Sequence, residues 1–347
     1  MNKLFNKNRL LLIGNFGYCS DSLDGQTVKT RSIYELVHRN NVDVSYFDTD
    51  SFNISRWRVF SFISSIIVSK NIIIIPASRF IKTLFPLIFF IAKLFGKKIL
   101  CIPVGGWWVW FLKDKRILCF MLRHINAILP QTPNDVEGLR REYGMNNVYY
   151  FPNFRITDFH PNPVVVKGVM KIVFFARINK MKGLDIVFYV AELLKNSNLQ
   201  GKITIDFYGQ IKEEDKSYFI DNVGKYEFVD YKGVLQPKEI HQTLSKYDVM
   251  LFPTKYLEDE GFPGTILDGY ISGLPVIASN WCHSKDFVKD GLCGYICDIN
   301  KPDEFYNKII YLFENSDHLL RMKYNAYEES KQYSAENANK IISSFIK

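Results

Sequence analysis

The sequence predicts an α/β protein with two doubly wound parallel-sheet domains in one chain. Three observations carry this. Short apolar runs ending in Gly, Pro or Ser alternate with longer stretches of helical period, the pattern of parallel strands joined by crossover helices. The alternation pauses once, in YYFPNFRITDFHPNPVVVKG near residues 151–168, which holds three prolines, and then restarts. A length of 347 residues is long for one domain and natural for two.

The elements follow in order. RLLLIGNF comes after a basic start and runs into a Gly/Asn turn. With no small-residue cleavage site, it reads as a first strand and not as a signal peptide. Thr27–Asn40 has helical period, and DVSYF and NIIIIPAS are the next strands. Phe80–Phe95 is strongly apolar, but its run from Leu84 to Ala92 is nine residues, too short to span a bilayer. Two readings stand for it. One is a buried crossover helix with Pro86 in its first turns. The other is an amphipathic helix dipping into a membrane surface beside Lys93, Lys97 and Lys98. KILCIPVGG is a strand running into Gly105-Gly106-Trp107-Trp108. That turn either shapes a pocket lined by tryptophan or is a packed corner. After the pause come the strands KIVFFARI, KITIDFYG, DVMLFPT and PVIAS, with a helix over Leu184–Lys195.

Charge is uneven. Residues 1–160 hold 21 Lys/Arg and 11 Asp/Glu, or +10, whereas residues 161–347 hold 23 and 25, or −2. No acid occurs between Asp50 and Asp114, while nine basic residues do. Such a half suits an anionic partner: nucleic acid, a membrane surface or a phosphorylated substrate.

Two stretches carry chemistry. In EGFPGTILD, Glu260 and Asp268 stand eight apart, with the turn Gly261-Phe262-Pro263-Gly264 between them and a helix starting at Gly264 or Thr265. Ile266, Leu267, Ile271 and Leu274 can face a core. The free N–H groups and positive dipole end of such a helix make an anion seat. The second stretch follows the strand KIVFFA, where Arg177 and Lys182-Gly183 stand before a helix. Cations there can meet a diphosphate lying over the strand ends.

Together these stretches resemble the retaining glycosyltransferases of GT-B family 4. Ala176-Arg177 through Lys182-Gly183 resembles their Gly-Arg-x-x-x-x-Lys-Gly strand end. IDFYGQ, with Gly209, resembles their glycine-containing strand. YKGVLQPKEIHQTLSKYDVMLFPTKYLEDEGFPGTILDGYISGLPVIAS follows their order of loop, helix, strand, paired acids and Gly-x-Pro-Val-Ile-Ala. The likeness covers most of residues 150–300. The first half is thinner, with SLDGQTVKT and AILPQTPNDVEGLRREYG leading to FPNF.

The resemblance implies a GT-B fold of two Rossmann-like domains facing a cleft. Residues 1–160 would form an acceptor domain and 161–325 a nucleotide-sugar domain, with 326–347 a helix packing back on the first. It implies that Glu260 approaches the donor sugar and that Arg177 and Lys182 neutralise the leaving diphosphate. Asp268, standing where Glu is commoner, would bind ribose hydroxyls. The backbone of Gly261, Phe262, Pro263, Gly264 and Thr265 would hold sugar and phosphates, and that near Val234 and Leu235 the base. Gly209 and Gly25 join the donor set. Asp24-Gly25-Gln26-Thr27 resembles the loop that approaches phosphates and acceptor. Gln26, Gly105, Gly106 and Trp107 are the acceptor candidates. The histidine that many relatives carry after a strand like KILCIPV is missing.

The remaining candidates read as structural. The histidines His38, His124, His160, His241, His283 and His318 fit no triad or metal spacing. Asp48-Thr49-Asp50 has the spelling of a metal motif but reads as a solvated turn. The six cysteines lack metal spacing and read as buried thiols of a reducing cytosol.

The expected partners are a UDP- or GDP-sugar, a saccharide or lipid-linked saccharide acceptor, and an anionic membrane surface met by the first domain. No cofactor and no metal are expected. The expected place is the cytoplasm, peripheral at the inner face of the plasma membrane, in surface polysaccharide assembly. Two rivals are weaker. A nucleic-acid binder would show a helix-turn-helix, zinc or RNA-binding signature. An NAD-dependent Rossmann enzyme would need a G-x-G-x-x-G turn that IGNFGYCSDSLDG lacks.

Overall fold

The computed structural model describes residues 10–20, 25–55, 57–257 and 260–346. The chain divides into two units, residues 1–156 with 333–347, and residues 157–332.

The first unit runs β1 (Leu10–Gly14), α1 (Gly25–Arg39), β2 (Val44–Asp48), α2 (Arg58–Val68), β3 (Asn71–Ile75), α3 (Ser78–Thr83), α4 (Phe85–Leu94), β4 (Lys98–Cys101), α5 (Trp108–Phe111), α6 (Arg116–Arg123), β5 (Ala127–Ile128) and α7 (Pro133–Tyr143). The sheet is parallel, in the order β2-β1-β3-β4-β5. Its strands are near-continuous apolar runs because both faces are covered. With period two, Leu11, Ile13, Ile72, Ile74 and Ile99 enter one core together with side chains of α2, α4 and α6. Leu10, Leu12, Ile73, Ile75 and Leu100 enter the other, beneath α1. Local chemistry sets the ends of α7: Thr132 caps it, accepting from the Asp135 N–H at 3.0 Å, Pro133 opens it, and Gly144 closes it at φ 59°.

Three readings change here. The Phe80–Phe95 stretch is two helices, because the chain breaks at Leu84 and Pro86 lies in the first turn of α4, where its missing N–H costs nothing. Asp48 is not solvated: its carboxylate accepts from the N–H groups of Phe16 (3.0 Å), Tyr18 (3.2 Å) and Asp50 (3.0 Å), bracing the end of β1. Cys101, Cys119, Cys293 and Cys297 are buried free thiols, but Cys19 and Cys282 are exposed.

The second unit runs β6 (Met170–Phe175), α8 (Leu184–Lys195), β7 (Ile203–Tyr208), α9 (Lys216–Val223), β8 (Val229–Tyr231), α10 (Ile240–Leu244), β9 (Val249–Phe252), α11 (Gly264–Ile271), β10 (Val276–Ser279), α12 (Ser284–Phe287), β11 (Gly294–Cys297), α13 (Pro302–Glu314) and α14 (Ser316–Ser330). Its parallel sheet has the order β11-β10-β9-β6-β7-β8. The chain winds outward from β6 through β7 and β8, then returns to the other side of β6 with β9. That reversal is a topological switch point, where ligands of such sheets sit beyond the strand ends. α14 is tied down by Lys323, whose buried ammonium meets Asp248 at 3.3 Å and the Tyr247 carbonyl at 2.5 Å.

α14 is one unbroken helix packed on α11, and the second unit runs to Gln332. The first stretch of the first unit closes at Ile156. α15 (Ala335–Ile346) lies in the first unit, where Ala338 and Ile342 join the core under α1 and the Asn71 amide donates to the Ile346 carbonyl at 2.9 Å.

Candidate active site

The second-unit candidates gather at the carboxyl ends of three adjacent strands, β9, β6 and β7. Two glycines allow this. Gly209, at φ 146°, passes so close to β6 that a Cβ there would lie 1.8 Å from the Ala176 carbonyl oxygen. Gly183, at φ 82°, would place a Cβ 1.9 Å from the Pro253 carbonyl oxygen. The backbones after β6, β7 and β9 therefore touch where any side chain would hold them apart. The Gly209 N–H donates to the Gly233 carbonyl at 2.9 Å, which brings Val234 and Leu235 beside the same strand end. Val234 is exposed and Leu235 half-buried.

Between β6 and α8, Asn179 caps a single tight turn, Lys180–Lys182, accepting from the Lys182 N–H at 3.0 Å. This cap aims Lys182 across the sheet. Its ammonium pairs with the Glu260 carboxylate, which also accepts from the Thr254 hydroxyl at 3.2 Å. The same ammonium lies 5.4 Å from the Phe252 ring centre and 5.0 Å from that of Tyr256. Aromatic faces attract a cation and exclude water, so the pair is stronger than a surface one. Arg177 differs: it is exposed and makes no side-chain hydrogen bond or ion pair with the described residues.

After Glu260, Gly261, Phe262 and Pro263 are buried and Gly264 and Thr265 half-buried. Phe262 stacks on Phe287, ring centres 4.0 Å apart and planes at 1°, which anchors the turn. Among the described residues no side chain caps α11, whose cap position is Pro263. The first helical N–H groups, on Gly264 and Thr265, are left to a ligand or solvent. One turn on, Asp268 is 4% exposed and meets His241 Nε2 at 3.1 Å. His241 Nδ1 in turn lies 3.3 Å from the Thr157 hydroxyl. Asp268 is thus positioned by a histidine from α10. Sequence reasoning placed no role on His241, and the only available signal was its position on the helix after the Val234–Leu235 loop.

The first-unit candidates follow strand ends of their own sheet. Gly25 is exposed and opens α1; Gln26 donates to the Ile75 carbonyl at 3.3 Å, bracing the end of β3. Asp24 lies outside the described residues. Gly105, at φ 92°, turns the chain after β4, and its N–H donates to Gln131 at 3.3 Å. Gly106 and Trp107 are half-buried. Trp108 is fully buried in the core, so half of the tryptophan pair is a packed corner. Trp107 stacks on Trp108 at 5.1 Å and meets Phe111 edge-on at 4.7 Å. A shallow depression of about 570 Å³ along α7, lined by Val136, Arg140 and Tyr150, contains none of these residues. Among the described residues, no group of three or more His, Cys, Asp or Glu is arranged to hold a metal ion.

Two parallel doubly wound units, with an uncapped helix N-terminus and paired acid and lysine at the switch point of one, define the GT-B class of α/β proteins. The match to solved structures agrees. Anabaena HepE in complex with UDP and glucose superposes with TM-score 0.73 at 13% identity over 96% of this chain and 98% of that one. A sucrose-phosphate synthase from Thermosynechococcus elongatus gives 0.74 at 13% identity, over 97% and 98%. The chain belongs to the family of glycosyl transferases group 1, whose model matches residues 156–329. Curated relatives include an uncharacterised protein of the Klebsiella pneumoniae cps region, 24% identical over 52% of this chain and 46% of that one. Another is the amylovoran biosynthesis glycosyltransferase AmsK of Erwinia amylovora, 25% identical over 37% and 32%. The chain thus spans less than half the length of these curated relatives.

Proposed function

We propose that this protein moves a sugar from a nucleoside diphosphate sugar to a saccharide acceptor, with the anomeric configuration retained, in the assembly of a surface polysaccharide. The observation that carries the reading is the meeting of Lys182 and Glu260 beside the uncapped start of α11. Breaking the bond between sugar C1 and the phosphate oxygen sends the electron pair to the diphosphate and leaves positive charge on the sugar. Lys182, Arg177 and the N–H groups of Gly264 and Thr265 stabilise the first charge without a metal. Such preorganised donors are usually the largest catalytic term, roughly 2.7–4 kcal/mol each. Glu260, released when the diphosphate takes Lys182, faces the sugar. The acceptor hydroxyl adds to C1 on the face the diphosphate leaves, and its proton passes to the departing phosphate.

Asp268, held by His241, grips the ribose hydroxyls. The turn Gly261–Gly264 lines the sugar, and Gly209 with the backbone of Val234 and Leu235 lines the base. On the first unit, Gly25 approaches the phosphates, while Gln26, Gly105, Gly106 and Trp107 meet the acceptor. The acceptor is lipid-linked and presented at the inner membrane face, a reading supported by the basic first half. The cps and amylovoran contexts of the relatives support the polysaccharide assignment.

A thermal-shift panel of UDP, GDP, ADP, NAD and the corresponding nucleotide sugars, run with EDTA, tests this. A ligand at 100 times its Kd adds about 2.7 kcal/mol. One nucleoside diphosphate and its sugars are expected to shift the transition. A shift with NAD alone, or with none of them, overturns the reading.

A further inference from the structure

The outer face of the helical layer over the first sheet does not match a water-facing surface. α2, α4 and α6 pack side by side, α4 between the other two, and bury their inner faces in one core. Their outer faces are apolar as well. Phe60 and Ile67 on α2, Phe90 and Leu94 on α4, and Ile117 and Phe120 on α6 are all exposed, Leu94 by 80% and Ile117 by 74%. Scattered single apolar residues on a surface mean little, but apolar outer positions on three adjacent helices mark a binding face. Trp57, 78% exposed, extends it by stacking on Phe60 at 5.9 Å.

Charge identifies the occupant. From residue 51 to residue 134 the sequence has twelve Lys/Arg and one acid, Asp114. Arg58, Lys93, Arg116 and Arg123 stand on these same helices and are exposed. A second copy of the chain would bring one cationic face against another. An anionic bilayer complements both features: aromatic and aliphatic side chains enter the headgroup–acyl boundary while Lys and Arg reach phosphates at its edge. Among the described residues no helix is long and apolar enough to cross a membrane, so the contact is peripheral. The Lys97 ammonium donates to the Ile67 carbonyl at 2.6 Å and also to that of Ser69, tying the end of α2 to the turn after α4 and holding the face rigid.

We infer that the exposed faces of α2, α4 and α6 form a preformed docking surface for an anionic lipid bilayer. The inference deepens the lipid-linked reading of the acceptor and rests on it.

Flotation with vesicles of phosphatidylcholine, with and without phosphatidylglycerol, tests it. The chain is expected to float with the anionic vesicles at low salt and to be released by high salt. The double variant Phe90→Ser/Leu94→Ser should lower partitioning roughly tenfold or more. Its melting temperature and nucleotide binding should match the parent. Leu292→Ser/Tyr311→Ser, two exposed residues of the second unit, should partition as the parent does. Bromine-labelled acyl chains should quench fluorescence in a Trp57-dependent way, an effect lost in Trp57→Phe.

Absence of binding to anionic vesicles, or undiminished binding by the double variant, overturns the inference. So does a dimer seen by light scattering that the double variant dissolves. If vesicle binding fails while nucleotide binding and transfer to a lipid-free saccharide persist, only the docking surface falls. If vesicles bind but no nucleotide does, the transferase reading falls instead.

Discussion

Lys182 and Glu260 form an ion pair beneath the rings of Phe252 and Tyr256, although the two residues are 78 positions apart in the chain. The pair sets up a competition, since a diphosphate over the start of α11 must take Lys182 from Glu260. Glu260→Gln removes the competing charge and the carboxylate together. A nucleoside diphosphate is expected to bind this variant as tightly as the parent or more so, while kcat falls by about 10²–10³-fold. Calorimetry and initial rates check both. Clearly weaker diphosphate binding would mean that Glu260 does not compete for the lysine.

The His241–Asp268 contact predicts a graded effect on affinity. Hydrogen bonds to a charged group contribute about 1.5–3 kcal/mol, so Asp268→Ala should weaken nucleotide binding roughly tenfold to a hundredfold. His241→Ala should weaken it less, and His241→Gln, which keeps a donor, should restore most of the loss. Far-ultraviolet circular dichroism should be the same in all three. An unchanged Kd in Asp268→Ala would remove the ribose assignment.

Gly183 is a stability test with a built-in control. Alanine there would meet the Pro253 carbonyl at 1.9 Å with φ at 82°, so Gly183→Ala should cost more than about 2 kcal/mol. Among the described residues a Cβ on Gly25 meets nothing within 4 Å, and Gly25→Ala should change stability by less than about 1 kcal/mol. Urea midpoints report both. Equal midpoints for the two variants would contradict the close approach of the β6 and β9 loops.

Lys29 predicts a pH dependence. It is buried, its ammonium has no hydrogen-bond partner among the described residues, and it lies 5.0 Å from the Phe151 ring centre. Burial first, then nearby Arg155, hold its pKa well below the ordinary 10.5. Between the lowered value and 10.5 the unfolded chain keeps a proton that the folded chain has lost, so stability rises with pH across that window. The contribution is fully present above the ordinary value and lost as pH falls through the folded one. Lys29→Met should therefore stabilise the protein by about 1–3 kcal/mol at neutral pH, with the gain shrinking as pH rises. Denaturation series across pH check the slope, and a gain independent of pH refutes it.

Much of the fold and site was legible because its signals are local. Alternating apolar runs reveal parallel strands, and Gly-Phe-Pro-Gly reveals the turn before α11. Arg177 and Lys182 stand at a strand end whatever surrounds them. Three strands were not legible: β5 and β8 are two and three residues long, too short for a period to show, and β11, Gly294–Cys297, holds a single aliphatic residue, Ile296. The break between α3 and α4 was hidden because Leu84 is as apolar as its neighbours. His241 was hidden because its partner, Asp268, lies 27 residues away on another helix.

By itself the sequence determined the α/β class, the two-unit organisation, the turn and helix start within residues 260–268 and the cationic bias of the first half. Each is a property of neighbouring residues, or of composition, and survives without knowledge of any distant contact. Only the tertiary structure decided that Lys182 meets Glu260, that His241 holds Asp268, that Asp48 braces a strand end, and that three helices show apolar faces on one side. These depend on which strands lie adjacent and how closely their backbones approach. Gly183 and Gly209 set that approach through contacts with Pro253 and Ala176, which the order of residues along the chain does not reveal.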